Sequence, residues 1–141
     1  VVYNPSKIKN GFDYNELFEF SDFLPTFAEA AGIKTPDGID GKSFYPLFSG
    51  QKQEARETVF VHYDPLKKGG NERWYGRFVR NKTYKLYNDG RFYNVSQDSR
   101  EQNPISKEKL MTKENHLWEI FQAELETAPP YYFKQRDEYD E

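Results

Sequence analysis

A chain of 141 residues with 20 Lys and Arg against 23 Asp and Glu carries a formal net charge of -3. It lacks the basic excess of a nucleic-acid binder, and a mean hydropathy of -0.99 with no long apolar run offers no membrane span. With no cysteine and two His, neither disulfides nor a zinc site are credible. Hydrophobic residues are only 36%, yet 12 Phe, 11 Tyr and 2 Trp can build a core from few, large side chains.

The chain opens on Val1-Val2-Tyr3, which reads as a buried strand ended by the turn residues Asn4-Pro5-Ser6. Residues 14–20 fit neither the helical nor the strand period. The spacing then predicts a helix over 22–31. Ser21 is its expected N-cap, Asp22 adds charge where the helix dipole favours it, and Pro25 falls in the first turn. Phe23, Phe27, Ala30 and Ala31 recur at helical spacing and predict one apolar face. Gly32 supplies the left-handed stop. A loop over 34–41 leads to a short helix over 43–48. Within that loop Asp37-Gly38-Ile39-Asp40-Gly41 has calcium-like spacing, but it is short and has no bidentate Glu in register, so it reads as a turn.

Residues 51–57 are polar, contain a single Ala, and suit a surface linker. Beyond them the period changes to strands over 58–63 (TVFVHY), 74–80 (WYGRFVR), 83–87 (TYKLY) and 91–95 (RFYNV). Asn81-Lys82 and Asn88-Asp89-Gly90 are the turns between the last three, which implies an antiparallel meander. Thr112 is the expected cap of a helix over 112–126, stopped by Pro129-Pro130. Leu117, Ile120, Phe121 and Leu125 form a stripe that should lie across the sheet. The expected fold is α+β: an antiparallel sheet of about four strands covered by a C-terminal helix, preceded by a strand-helix segment. The expected divisions are 1–50, 51–128, and an aromatic and acidic tail over 129–141, solvated at its acidic end.

The order of residues in the first block carries more than its physics. Asp22, Pro25-Thr26, Ala31-Gly32, Ile39-Asp40-Gly41-Lys42-Ser43 and Pro46-Leu47-Phe48-Ser49-Gly50 resemble the segment that closes the large domain of type I sulfatases, in the alkaline phosphatase superfamily. Arg77, Arg80, Tyr84-Lys85-Leu86, Tyr93-Asn94-Val95, Asp98, Glu101 and Asn103 resemble the thread of the sulfatase C-terminal subdomain. Departures fall at Asn94, Val95 and Ser99, on a structural turn. Together the blocks cover residues 1–128, and the chain reads as the C-terminal piece of a longer protein. The resemblance implies a large α/β domain ending in residues 1–50 and a small subdomain over 51–128. It also implies a parent that hydrolyses sulfate esters, in a periplasmic or secreted setting. The family nucleophile, a formylglycine made from Cys or Ser in a Cys-x-Pro-x-Arg motif, is absent here. Both it and calcium are expected in the missing N-terminal catalytic domain, which would be this chain's partner beside a sulfated small molecule or glycan. No catalytic and no metal-binding residue is expected in this chain, which by itself should be inactive.

The candidate substrate-binding residues are His62, Tyr63, Asp64, Arg73 and Trp74. His62-Tyr63-Asp64 ends the first strand of the sheet with a titratable ring, a phenol and a carboxylate. Arg73-Trp74 closes a basic, glycine-rich loop. Cations attract sulfate esters, and indole faces stack on sugar rings. Satisfied sheet residues and a solvated hairpin loop explain the same residues. Arg77 and Arg80, an odd number apart on one strand, should point to opposite faces, with a structural role by family position. Two further functions remain open here: a carbohydrate-binding or interaction module, and the equivalent part of a phosphodiesterase or phosphonate hydrolase.

Overall fold

The computed structural model describes residues 2–8, 10–63 and 76–128. Two compact units divide the chain, Val1–Val59 and Phe60–Glu141.

In the first unit a 3-10 turn, Phe20–Asp22, runs into helix α1, Phe23–Ala30. The cap is not Ser21, whose hydroxyl donates to Glu19 Oε1 at 2.8 Å. Glu19 and Asp22 close the helix entry instead, with the Glu19 amide donating to Asp22 Oδ2 at 2.9 Å. A carboxylate three residues on does this better than a hydroxyl, because its charge also faces the helix N-terminus. Gly32 ends the helix as expected: its φ is 69°, and the Ile33 amide donates to Ala28 O at 3.0 Å.

The buried face of α1 differs from the apolar stripe. Pro25, Thr26 and Ala28 are buried, while Phe27 is 64% exposed and Ala30 and Ala31 lie outside. Backbone satisfaction decides it. Thr26 Oγ1 donates to Asp22 O at 2.6 Å and accepts from the Phe44 amide at 3.0 Å, so the loop returning over 39–44 is bound to the polar side of the helix. Val2 and Tyr3 lie in no strand. A buried strand needs neighbours for its ladder, and none of the described residues supplies them. The later helix is a 3-10 segment, Tyr45–Ser49, closed by Gly50.

Gly41 explains why the return loop carries glycine. A Cβ there would lie 2.0 Å from Ser21 O and 2.6 Å from Ser21 C, both backbone atoms. Backbone cannot swing aside as a side chain can. Gly41→Ala is therefore expected to lower stability by at least the roughly 1–3 kcal/mol typical of overpacking. Thermal denaturation checks this; an unchanged midpoint would show that the loop does not approach Ser21 this closely.

The second unit is built on an antiparallel meander. Strands β1 (Val59–Tyr63), β2 (Gly76–Arg80), β3 (Tyr84–Tyr87) and β4 (Phe92–Asn94) lie in the order β1-β2-β3-β4. The hairpin at 81–83 forms because Asn81 Oδ1 accepts from the Thr83 and Tyr84 amides at 2.8 and 2.7 Å. Register pairs Val79 with Leu86 and Leu86 with Phe92, one apolar row on one face. Helix α2, Thr112–Thr127, packs on β2 and β3. Val79, Leu86, Phe92, Phe121 and Leu125 make the core.

Two details of α2 differ from expectation. Thr112 is its first helical residue, not the cap, and the first turn is closed by Glu114 Oε2, which accepts from the Met111 amide at 3.0 Å. Ile120 is 42% exposed, and the buried stripe runs Glu114, Phe121, Leu125, with Trp118 packed beside it. Glu114 is buried because its other oxygen accepts from Tyr84 Oη at 2.9 Å, which ties helix to sheet. The tail over 129–141 lies outside the described residues.

Candidate functional site

Chemistry-bearing side chains gather at three places, one in the first unit and two in the second. In the first unit Asp22, 2% exposed, accepts four kinds of donor. Arg56 Nε lies 3.0 Å from its Oδ2 and 3.2 Å from its Oδ1, and Arg56 Nη2 also contacts Oδ1. The Lys42 amide donates to Oδ1 at 2.7 Å, and the Glu19 amide to Oδ2. Burial opposes the charge, but these donors outweigh it and hold the Asp22 carboxyl below its ordinary value. Arg56 reaches on to Glu19 Oε1 and Asp40 O, both at 3.0 Å. Every donor and acceptor here has a protein partner, which makes this knot a structural staple. Asp37 instead pairs with Lys34 at 2.9 Å on the surface. Among the described residues no group of three His, Cys, Asp or Glu could hold a metal ion, so they do not fit a calcium site.

In the second unit, the sheet face opposite α2 carries Lys85 and Tyr87. Lys85 Nζ donates to Glu101 Oε1 at 2.7 Å and stands 3.8 Å from the Phe78 ring centre. Tyr87 Oη donates to Glu101 Oε2 at 2.6 Å. Burial and the Glu101 carboxylate push the Tyr87 phenol well above its ordinary value. Burial pulls Glu101 the other way, but Lys85 and Tyr87 win and keep it ionised. Glu101 has φ 54°, a left-handed backbone rare for its type, held by these two bonds. The departures from the family thread leave the neighbouring turn intact. Asn94 Oδ1 accepts from Ser96 Oγ at 2.7 Å and the Gln97 amide at 3.3 Å, doing the work of a carboxylate.

The third place is the end of β1. His62 and Tyr63 are exposed there, Tyr63 at 53%. Arg77 Nε, on β2, donates to His62 Nδ1 at 2.9 Å. Arg80 has a different partner, the Asn81 carbonyl at 3.1 Å. Asp64, Arg73 and Trp74 lie outside the described residues. The structure thus brings His62 and Tyr63 to one exposed strand end and adds Arg77 beside them. Alternation along β2 separated Arg77 from Arg80 but could not name its partner, since the register of β1 against β2 is not written in either strand.

A four-stranded antiparallel sheet under one C-terminal helix, threaded through Lys85, Tyr87 and Glu101, is the small α+β domain of sulfatases, hydrolases of sulfuric esters. The family described as N-sulphoglucosamine sulphohydrolase, C-terminal, matches residues 1–127, and the chain belongs to it. An ulvan-active sulfatase of Formosa agariphila is 38% identical over 81 residues, 57% of this chain and 16% of its own length. An N-acetylglucosamine-6-O-sulfatase of Bacteroides thetaiotaomicron is 28% identical across 98% of this chain and 26% of its own. Among solved structures, a protein in complex with its substrate D-glucosamine-2-N,6-O-disulfate superposes with a TM-score of 0.59 at 25% identity, covering 84% of this chain and 24% of its own. A 2-O GAG sulfatase gives 0.53 at 26%, covering 84% and 25%. The chain therefore spans about a quarter or less of the relatives it matches. No helix among the described residues is long and apolar enough to cross a membrane.

Proposed function

We propose that this chain is the C-terminal part of a sulfatase acting on a sulfated carbohydrate, and that it completes the fold and shapes one rim of the substrate cleft. The family match over residues 1–127 carries the reading. Residues 1–50 close the large catalytic domain, and residues 51–128 form the small subdomain. The nucleophile, a formylglycine, and its calcium belong to the N-terminal catalytic domain, so this chain alone is inactive.

The surface of the first unit supports a missing neighbour. Phe20 is 92% exposed, and Phe18, Leu24 and Phe27 more than half. A groove of about 490 Å³ lies beside them, lined by Phe12, Tyr14, Phe18, Phe23, Phe44 and Phe48 among others. Contiguous aromatic surface on this scale marks an interface. The curated relatives named above are sulfatases of sugars, which favours this reading over a phosphodiesterase or a free-standing carbohydrate module.

The His62–Tyr63 strand end, with Asp64, Arg73 and Trp74 following, is the rim we assign to substrate. In the full-length enzyme, His62, Tyr63, Asp64, Arg73 and Trp74 are each replaced by Ala. At least one replacement is expected to lower kcat/KM roughly tenfold or more, the cost of a lost hydrogen bond to a charged group. Unchanged kinetics in all five, with folding intact, would return these residues to the sheet and the solvent. Measurable hydrolysis of an aryl sulfate by this chain alone would overturn the division of labour.

A further inference from the structure

We propose that Arg77 is a positioning residue: it locks His62 in the neutral tautomer with its proton on Nε2, and so makes the ring a fixed donor to an oxygen of the sulfated sugar. The proposal rests on the assignment of His62 to the substrate rim and adds to it the residue that sets which nitrogen donates.

The geometry is that of two neighbouring strands. His62 is on β1 and Arg77 on β2, and Arg77 Nε points its N–H at His62 Nδ1 across 2.9 Å. A guanidinium has donors only and keeps its charge at any pH a protein meets. The nitrogen facing it must therefore offer a lone pair, and the single ring proton sits on Nε2. A second proton would have to enter Nδ1, against the N–H and the charge of Arg77. The imidazolium form is disfavoured for that reason, and the ring acts by direction more than by charge. Nε2 lies on the far edge of the ring from Arg77, so the lock fixes the outward N–H whichever group accepts it. Sulfate oxygens and sugar hydroxyls both accept such a bond. Without Arg77 the free ring would divide its proton between two nitrogens, and only part of the population would present the donor.

The test uses the full-length enzyme and the sulfated sugar it turns over fastest among ulvan oligosaccharides, 6-O-sulfated N-acetylglucosamine and D-glucosamine-2-N,6-O-disulfate. With isotope-labelled histidine, the nitrogen shifts of His62 should show a bare Nδ1 and a protonated Nε2. Arg77→Gln should mix the tautomers and lower kcat/KM about tenfold. Gln in place of His62 sets its amide near the position of Nε2 and needs no tautomer lock. Arg77→Gln added to His62→Gln should then cost nothing further. A role for Arg77 in folding alone would lower activity equally in both backgrounds and overturn the proposal, as would a proton on Nδ1. If His62→Ala is silent while the shifts show the lock, the substrate contact fails and the lock stands. If His62→Ala lowers kcat/KM but Arg77→Gln leaves it unchanged, the contact stands and the positioning role fails.

Discussion

Replacing Asp22 by Ala is expected to destabilise the first unit by about 3–5 kcal/mol, the usual loss when one partner of a buried ion pair is removed. Three consequences follow from one deletion. Arg56, with a side chain only 14% exposed, loses its bidentate acceptor and keeps its charge. The Lys42 amide loses the acceptor that pins the return loop. The Glu19 amide loses the group that closes the helix entry. Asp22→Asn keeps the shape but not the charge and should lie between wild type and Asp22→Ala. Arg56→Lys keeps the charge without the fork and should also be intermediate. The carboxyl titrates lower in the folded state than in the unfolded one. Its contribution is therefore complete above the unfolded value of about 4, and is lost as pH falls through the folded value. Denaturation midpoints measured down through that window should fall more steeply for wild type than for Asp22→Asn. Parallel acid limbs in the two proteins would contradict the ion pair.

Much of the second unit was legible because its signals are local. Each strand announced itself within a few residues, and Asn88–Gly90 and Asn81 carried their turn chemistry in their own side chains. The strand ends differ from the expected ones by one or two residues among those described. The first unit was less legible because its organising contacts are distant. Arg56 sits in a polar stretch with every mark of a linker, and its partner is 34 residues upstream. Nothing near either residue names the other. The apolar stripe of α1 misled for a different reason. Periodicity identifies a face that wants to be covered, but not whether the cover lies in the same chain. Phe27, Ala30 and Ala31 face outward, where the proposed catalytic domain would bury them. The rim was legible only as chemistry: His62 and Tyr63 could be named from the strand end, but the bond from Arg77 depends on inter-strand register. Glu101 was named as part of the family thread, yet its grip on Lys85 and Tyr87 follows from the pleat, which puts those two side chains on one face.

Phe121→Ala should cost the second unit about 3–5 kcal/mol, the range for deleting a fully buried ring. Phe121 has no exposed surface and stands at the centre of the contact between α2 and the sheet. Its ring lies 6.5 Å from that of Phe92, which in turn stacks on Tyr84 at 5.2 Å with an interplanar angle of 5°. The cavity left by Ala would be walled by Val79, Leu86 and Leu125, whose backbones are held by the sheet ladder and by the helix. Such walls cannot close in, so the loss should approach the upper part of the range. Leu117→Ala, at a half-buried position, should cost less, and Ile120→Ala, at an exposed one, within about half a kcal/mol. The ranking tests the helix orientation itself, because the sequence stripe alone would place Ile120 beside Phe121 in the core. Chemical denaturation of the three variants reads it directly. Equal losses for Ile120→Ala and Phe121→Ala would mean that α2 docks on the face the bare periodicity indicates. A small loss for Phe121→Ala would mean that it does not dock at all.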